Sequence, residues 1–203
     1  SWKIYSEDHT FYRSGKAPAA VYRKSKPNNT DHKWDYALDH WIYLVLPEPL
    51  KQGGRYTLEI GYETGTDKAE VSFLHDINSG LSEAIHLNMI GFSPFSPVKS
   101  ADLYAWMGDG GERDYAEFEG KQAWLTDVNS GEQFPAGTVQ FWMKNETGTE
   151  AEGRNLVGSD VWTVDFSHFN TPGTYRLVIE DVGCSRDFEI RNDIFFEPFK
   201  NVV

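Results

Sequence analysis

Two groups of carboxylates lie close enough together in the sequence to suggest acid–base chemistry. One consists of Asp109, Glu112 and Asp114, and the other of Asp160 and Asp165. A general acid and a general base work as a pair only when both reach the same bond of a substrate. The chain has 31 acidic residues, so close pairs also arise by chance, and both groups lie in or beside turns. We interpret them as solvated loop charges and assign no catalytic residue.

Loop oxygens are also the ligands that calcium prefers. The first carboxylate group supplies one candidate calcium loop, and Asp127, Asn129 and Glu132 supply another. Neither loop has the spacing of an EF-hand, so we favour acidic turns and keep calcium as the weaker alternative. The six histidines are scattered without the spacing of metal ligands. The sequence therefore predicts no metal centre and no cofactor.

Aromatic side chains are the other feature with a chemical use, because exposed Trp and Tyr rings can stack on sugar rings. Residues 100–108 predict a strand with Tyr104 and Trp106 on one face. These two residues are our best candidates for an exposed carbohydrate-binding platform or for a surface that contacts a neighbouring domain, and we favour the domain contact. Trp34, in a polar loop, is a weaker third candidate.

The composition is that of a folded protein, with 39% hydrophobic and 25% charged residues among 203. A net charge of −12 argues against nucleic acid or an anionic membrane as a partner, whereas a neutral polysaccharide is compatible with it. The one cysteine, Cys184, excludes an internal disulfide, and we expect a buried thiol. No apolar run of about 18 residues predicts a membrane span.

Residues 1–83 predict a β-rich N-terminal unit, either a small β-sandwich or an additional sheet. The clearest strand in it is 56–63, where apolar and polar residues alternate. Residues 23–40 are polar and contain proline, so they predict a long surface loop. Residues 40–47 are apolar on both faces, which is typical of a central strand, and we expect Trp41 in the core.

The second unit, residues 84–191, predicts an antiparallel β-sandwich. Trp162, Val164 and Phe166 alternate with polar residues, which predicts a strand with Trp162 in the core. A Thr-Pro-Gly turn at 171–173 then leads to a second alternating strand. The predicted fold class is all-β throughout.

The closing run VDFSHFNTPGTYRLVIEDVGCSRDFEI, together with AIHLNMIGF at 84–92, resembles the N-terminal immunoglobulin-like domain of family 9 glycoside hydrolases of the cellulase or endoglucanase type. The resemblance covers 84–203, and it implies an Ig-like β-sandwich that precedes a catalytic domain. The motifs carry no catalytic residue, and the Asp-Ala-Gly-Asp motif of the family's catalytic domain is absent from this sequence. The resemblance also implies a secreted, periplasmic or cell-surface parent enzyme that acts on cellulose or another β-glucan.

The tail 192–203 predicts the start of a helix, with Phe195, Phe199, Val202 and Val203 on one face. In the family that the chain resembles, this segment leads into the catalytic domain. We therefore expect the chain to continue beyond residue 203 and these four residues to contact the catalytic domain. The alternative is a tail that packs on its own domain.

Three functional hypotheses follow. The first is a non-catalytic region that packs against and stabilises the catalytic domain of a glycoside hydrolase. The alternative is an independent carbohydrate-binding module that uses exposed aromatic residues. The third, an enzyme complete in these residues, ranks lowest, because hydrolysis of a glycoside needs two carboxylates about 5–9.5 Å apart across a substrate cleft.

Overall fold

The computed structural model describes residues 1–30, 36–145 and 157–202. Trp34 and Val203 lie outside the described residues. The regular structure of the described residues is almost entirely antiparallel β, with one short α-helix near the C-terminal end, as the sequence predicts. In this part of the chain no helix is long and apolar enough to cross a membrane. The chain divides into two compact units, which are 1–76 with 107–111, and 77–106 with 112–203.

Where the structure describes the first unit, at 1–30, 36–76 and 107–111, it contains five strands in two sheets. Strands β1, β4 and β5 form an antiparallel sheet with β4 in the middle, whereas β2 and β3 pair with each other. Tyr56 on β4 packs with Ile4 and Tyr12 in a small core. The strands are β1 (Trp2–Tyr5), β2 (Ala20–Thr30), β3 (Tyr36–Val45), β4 (Arg55–Ile60) and β5 (Glu70–Leu74).

The β2–β3 hairpin corrects two predictions. The predicted loop at 23–40 is largely strand, and the predicted central strand at 40–47 belongs to a two-stranded ribbon in which Trp41 is only half-buried. Pro27 lies at a shift in the strand register, where a missing N–H costs little. The ammonium groups of Lys24 and Lys26 lie 5.9 and 4.9 Å from the Trp41 ring centroid. Lysine side chains thus lie over the Trp41 ring, which we expected to be in the core.

The second unit is an antiparallel β-sandwich, as predicted. One sheet has the order β10-β11-β7-β6, and the other has the order β13-β12-β8-β9 with β14 also paired to β12. Leu103 and Val164 from the first sheet and Leu125 and Leu177 from the second are all fully buried in one core. The elements are β6 (Ile85–His86), β7 (Ser100–Leu103), β8 (Gln122–Asp127), β9 (Gln133–Thr138), β10 (Gln140–Met143), β11 (Val161–Asp165), β12 (Gly173–Ile179), β13 (Gly183–Cys184), β14 (Phe188–Ile190) and α1 (Phe196–Val202).

The alternation in the closing strands correctly identifies core residues. Trp162 is buried, with its ring centroid 5.5 Å from that of Phe141 and 6.2 Å from that of Tyr115. Cys184 is buried and not disulfide-bonded, as expected. The sandwich core is therefore built from the residues whose spacing predicts it.

The strand predicted over 100–108 is shorter in the structure, because β7 ends at Leu103. The Met107 N–H donates to the Gly111 carbonyl at 2.7 Å and closes a turn. At Gly108, φ is +72°, and an added Cβ would lie 2.1 Å from the Arg23 carbonyl oxygen. Only glycine allows this turn to approach β2 so closely. The turn takes residues 107–111 into the first unit.

Candidate functional site: an apolar docking surface

Two adjoining segments of the second unit expose large apolar side chains. They are the loop 88–98 and the C-terminal segment 194–202, and we call their exposed side chains the apolar surface. Its aromatic members are Phe95, Phe195, Phe196 and Phe199, with exposed fractions of 84, 50, 52 and 63%. Contiguous exposed apolar area on a soluble protein usually marks an interaction site. The other exposed members are Met89, Ile90, Val98 and Val202.

Backbone hydrogen bonds join the loop to the residues just before the C-terminal segment. The Phe92 N–H donates to the Glu189 carbonyl at 2.9 Å, and the Arg191 N–H donates to the Phe92 carbonyl at 3.1 Å. Gly91, with φ of +105°, lies against the buried Ile194, and an added Cβ there would be 2.4 Å from the Glu189 carbonyl oxygen. The loop and the start of the C-terminal segment are therefore fixed to each other.

A buried lysine holds the turn that displays Phe95. Lys99 is 0% exposed, and its ammonium group donates hydrogen bonds to the carbonyls of Pro94 at 3.2 Å and Ser96 at 3.1 Å and to Asn170 Oδ1 at 3.1 Å. Burial lowers the pKa of Lys99. Three acceptors around one cation fix the backbone on either side of Phe95. Sequence reasoning missed Lys99, because a lysine beside a proline-containing turn reads as a surface residue.

A shallow hollow of about 550 Å³ lies beside this turn. It joins the loop to the segment just before α1, since Phe95 and Asn192 both line it. The hollow extends the apolar surface with proline rings and a few polar groups. Its lining residues are Pro94, Phe95, Ser96, Pro97, Ser167, Asn170, Pro172 and Asn192.

The C-terminal helix forms where the pattern predicts it. Pro198 is the third residue of α1, within the first turn, where a proline removes no helical hydrogen bond. The predicted contact residues Phe195, Phe199 and Val202 are all exposed, as is Phe196, whose ring is 4.4 Å from the Lys200 ammonium. The helix thus adds its aromatic side chains to the apolar surface.

Tyr104 and Trp106, the predicted platform, have different surroundings. Tyr104 is half-buried and stacks on His86, with ring centroids 3.9 Å apart and an interplanar angle of 14°. Burial raises the pKa of the Tyr104 hydroxyl. Trp106 is 47% exposed and forms an isolated antiparallel bridge with Glu112. Trp106 is therefore the more accessible ring of the pair.

Asp109 and Glu112 of the first carboxylate group accept hydrogen bonds from nearby N–H groups. The Asp109 carboxylate accepts the Arg23 N–H at 2.6 Å, within the first unit. In the second unit, Glu112 accepts the Asp160 N–H at 2.8 Å and an Asn145 amide N–H at 3.3 Å. These oxygens satisfy backbone and amide donors of neighbouring loops.

The second candidate calcium loop is a hydrogen-bonded turn. Asp127 Oδ1 accepts the N–H groups of Asn129 at 2.9 Å and Ser130 at 2.8 Å. These bonds, that from Ser130 first, hold the pKa of Asp127 below its usual value. Across residues 1–30, 36–145 and 157–202, no three His, Cys, Asp or Glu side chains are grouped as metal ligands.

Residues 81–184, about half of the chain, match the family described as the cellulase N-terminal Ig-like domain. The chain belongs to this family. That assignment agrees with the resemblance seen in the sequence and with the antiparallel sandwich, so the fold of the second unit is an Ig-like β-sandwich. The family match includes the loop 88–98 of the apolar surface and ends before α1.

Among solved structures, the chain is similar to a metagenome-derived glycoside hydrolase family 9 endoglucanase, at 19% sequence identity and a TM-score of 0.40. The match covers 53% of this chain and 18% of that one, so it spans less than a fifth of the endoglucanase. A comparison with curated proteins found no match.

Proposed function

We propose that this chain is the non-catalytic Ig-like region of a modular, family 9-like glycoside hydrolase, and that its apolar surface packs against a catalytic domain of the same polypeptide. The family itself supports a cellulase context, since its domains are N-terminal parts of cellulases. The parent enzyme would be secreted or at the cell surface and would degrade cellulose or another β-glucan.

The observation that carries this proposal is the rigid display of aromatic side chains. Phe95 is 84% exposed, yet the Lys99 hydrogen bonds fix the turn beneath it. The exposed Phe195 directly follows the buried Ile194 in the sequence, and the N–H of the exposed Phe199 donates to the Phe195 carbonyl at 3.1 Å. Exposing fixed aromatic rings to water has an energetic cost that contact with another apolar surface removes. A preformed surface also loses little conformational entropy when it docks.

The expected energy of docking is moderate for each side chain. Fully burying a phenylalanine contributes about 1.5–3 kcal/mol. Phe195, Phe196 and Phe199 are already partly covered, and we expect each to contribute about 1 kcal/mol when a catalytic domain covers it. Phe95 is 84% exposed, and we expect about 2 kcal/mol from it. Their sum is enough to change the thermal stability of a catalytic domain that depends on the contact.

The test replaces Phe95 and Phe199 by serine in the full-length enzyme and measures its melting temperature and activity on soluble β-glucan. We expect the Tm of the catalytic domain to fall by several degrees, whereas the same changes leave the Tm of the isolated 203-residue chain nearly unchanged. Trp142→Ser is the matched control, because Trp142 is 56% exposed and lies on β10, outside the apolar surface.

Unchanged Tm and activity in the double variant, and after deletion of 84–203, would contradict the proposal. A Tm that falls equally in Trp142→Ser would attribute the effect to a general loss of surface aromatics. Neither result is compatible with docking at the apolar surface.

The exposed indole of Trp106 favours one second candidate, an independent carbohydrate-binding module. This hypothesis predicts that β-glucan in a native gel retards the chain and that Trp106→Ala abolishes the retardation. Trp142→Ala serves as the control here as well. Normal migration in all glucans removes this candidate.

A further inference from the structure

An open groove of about 970 Å³ lies in the first unit, outside the residues that match the Ig-like family. Tyr5, Thr57 and Ser72 line the groove and lie on the face of the β1-β4-β5 sheet opposite the small core, alternating along their strands with residues such as Ile4 and Tyr56. Tyr56 and its cross-strand partner Phe73 also line the groove. Both faces of the sheet therefore contribute to the lining.

The floor of the groove is a row of hydroxyl-bearing residues across three strands. Tyr5 of β1 lies opposite Thr57 of β4, and Thr57 lies opposite Ser72 of β5. The hydroxyl oxygens of Thr57 and Ser72 are 2.9 Å apart. That bond uses one hydroxyl hydrogen, so the pair keeps a second hydrogen and free lone pairs for a ligand.

One rim of the groove is formed in advance of any ligand. The Ser6 hydroxyl donates to the Arg55 carbonyl at 2.6 Å, and Asp8 Oδ2 accepts the Arg55 N–H at 2.9 Å. The Asp8 N–H in turn donates to Ser6 Oγ at 3.1 Å. These bonds fix segment 6–8 against the start of β4, which reduces the ordering needed when a ligand binds.

Apolar rings also line the groove. The Tyr5 ring lies over Gly15, where φ is +73° and an added Cβ would be 2.3 Å from Tyr5 Cε1. Phe73, on the other face of the sheet from Ser72, lines the groove as well and stacks on Tyr56, with ring centroids 5.7 Å apart. Flat apolar surface beside hydroxyl groups suits a sugar, which presents C–H faces and a rim of hydroxyl groups.

The charges of the lining favour an uncharged ligand. Two acids, Glu7 and Asp8, stand against two bases, Arg13 and Arg55, and the Arg13 Nε lies 3.5 Å from Glu7 Oε2. The whole chain has a net charge of −12, which disfavours a polyanion. We propose that this groove binds a neutral oligosaccharide segment of a polysaccharide. The inference goes beyond the docking role, since it concerns another unit and another ligand.

The experiment uses the whole 203-residue chain in native gels that contain soluble β-glucan, xylan or galactomannan, with polygalacturonate as the anionic comparison. We expect retardation by at least one neutral glycan. In the double variant Thr57→Val/Ser72→Ala we expect about tenfold weaker retardation, because the floor then loses its hydroxyl groups. Valine and alanine preserve the strand, and an unchanged urea unfolding curve establishes that the variant is folded.

The matched control is Glu59→Gln, which lies on the same sheet face, one row beyond the hydroxyl row, and does not line the groove. Full retardation in this control together with its loss in the double variant supports the proposal. Normal migration in every neutral glycan, or retardation by polygalacturonate alone, overturns it. Retardation that survives the double variant and disappears in Trp106→Ala also overturns it, because it would place the sugar in the other unit.

Discussion

Lys99 is a buried cation that binds the turn carrying Phe95 to the sandwich. We predict that Lys99→Met destabilises the chain by about 2–4 kcal/mol, because the change leaves the buried Pro94 carbonyl and the part-buried acceptors of Ser96 and Asn170 without their donor. Urea unfolding measures the loss, and hydrogen exchange at 95–98 reports loosening of the turn.

Lys121→Met is the control for Lys99→Met. Lys121 forms an exposed ion pair with Asp181, and such pairs contribute little to stability. We expect its unfolding midpoint to stay close to that of the unmodified chain. Equal loss in the two variants would contradict a special role for Lys99.

The stability of the fold depends on the ionisation state of Asp165, and therefore on pH. Hydrogen bonds from Ser167, first from its hydroxyl and then from its backbone N–H, hold the pKa of Asp165 below its usual value. A carboxylate with a lowered pKa stabilises the fold fully above its unfolded pKa of about 3.9, and this stabilisation is lost as the pH falls through the folded pKa. We predict that Asp165→Asn reduces the loss of stability below about pH 4. Because Asp165 is exposed, we expect an effect under about 1 kcal/mol.

Urea unfolding between pH 2 and 6 tests this prediction. Glu119→Gln is the comparison, since no hydrogen bond or ion pair of its side chain occurs among the described residues. A pH dependence of stability that is identical in Asp165→Asn and the unmodified chain would contradict the role of Ser167.

The elements differ in how well their sequences predict them. Alternating residues identify β11 and β12 and place Trp162 in the core, because one face of each strand is buried. The β2–β3 hairpin was not predicted, because the polar composition of 23–40 favours a loop and the apolar residues of 40–47 favour a central strand. In the structure, Lys24 and Lys26 of β2 lie over Trp41 of β3, a cross-strand contact that composition does not indicate. The early end of β7 depends on a turn against β2, a contact that no local pattern contains.

The candidate site shows the same division. The periodicity of the tail predicts the exposed face of α1, because helix spacing is local information. The position of Phe95 on the apolar surface depends on the turn that Lys99 holds. One hydrogen-bond acceptor of Lys99 is Asn170, which is distant in sequence. Long-range hydrogen bonds of this kind leave no spacing signal in a single sequence.

The turn after β7 gives a prediction at the scale of an element. We expect Gly108→Ala to destabilise the first unit by about 2–3 kcal/mol, since the added Cβ meets the Arg23 backbone and φ is +72°. Gly65→Ala is the control, because Gly65 has φ of +70° and open space around it. It should cost about 1 kcal/mol, from backbone strain alone. Similar unfolding curves for the two variants would show that the close approach of Gly108 to the Arg23 backbone does not contribute to stability.

The described residues form two separate hydrophobic cores of unequal size, a large one in the sandwich and a small one around Tyr56. Units with separate cores can unfold separately. We predict that Leu125→Ala lowers the free energy of unfolding of the sandwich by about 2–5 kcal/mol while leaving hydrogen exchange in β4 unchanged. Tyr56→Leu should speed hydrogen exchange in β4 and leave exchange in the sandwich strands unchanged. Exchange rates that rise together in both units would indicate a single cooperative unit.

The first unit is not continuous along the chain, because residues 107–111 belong to it although β6 and β7 come before them. During synthesis, residues 1–76 therefore emerge from the ribosome before residues 107–111, which complete the unit. The N-terminal strands must wait for Gly108 and Asp109 before the contacts to Arg23 can form. During synthesis, the usual order in which an N-terminal unit is completed before the next one begins does not apply to this chain.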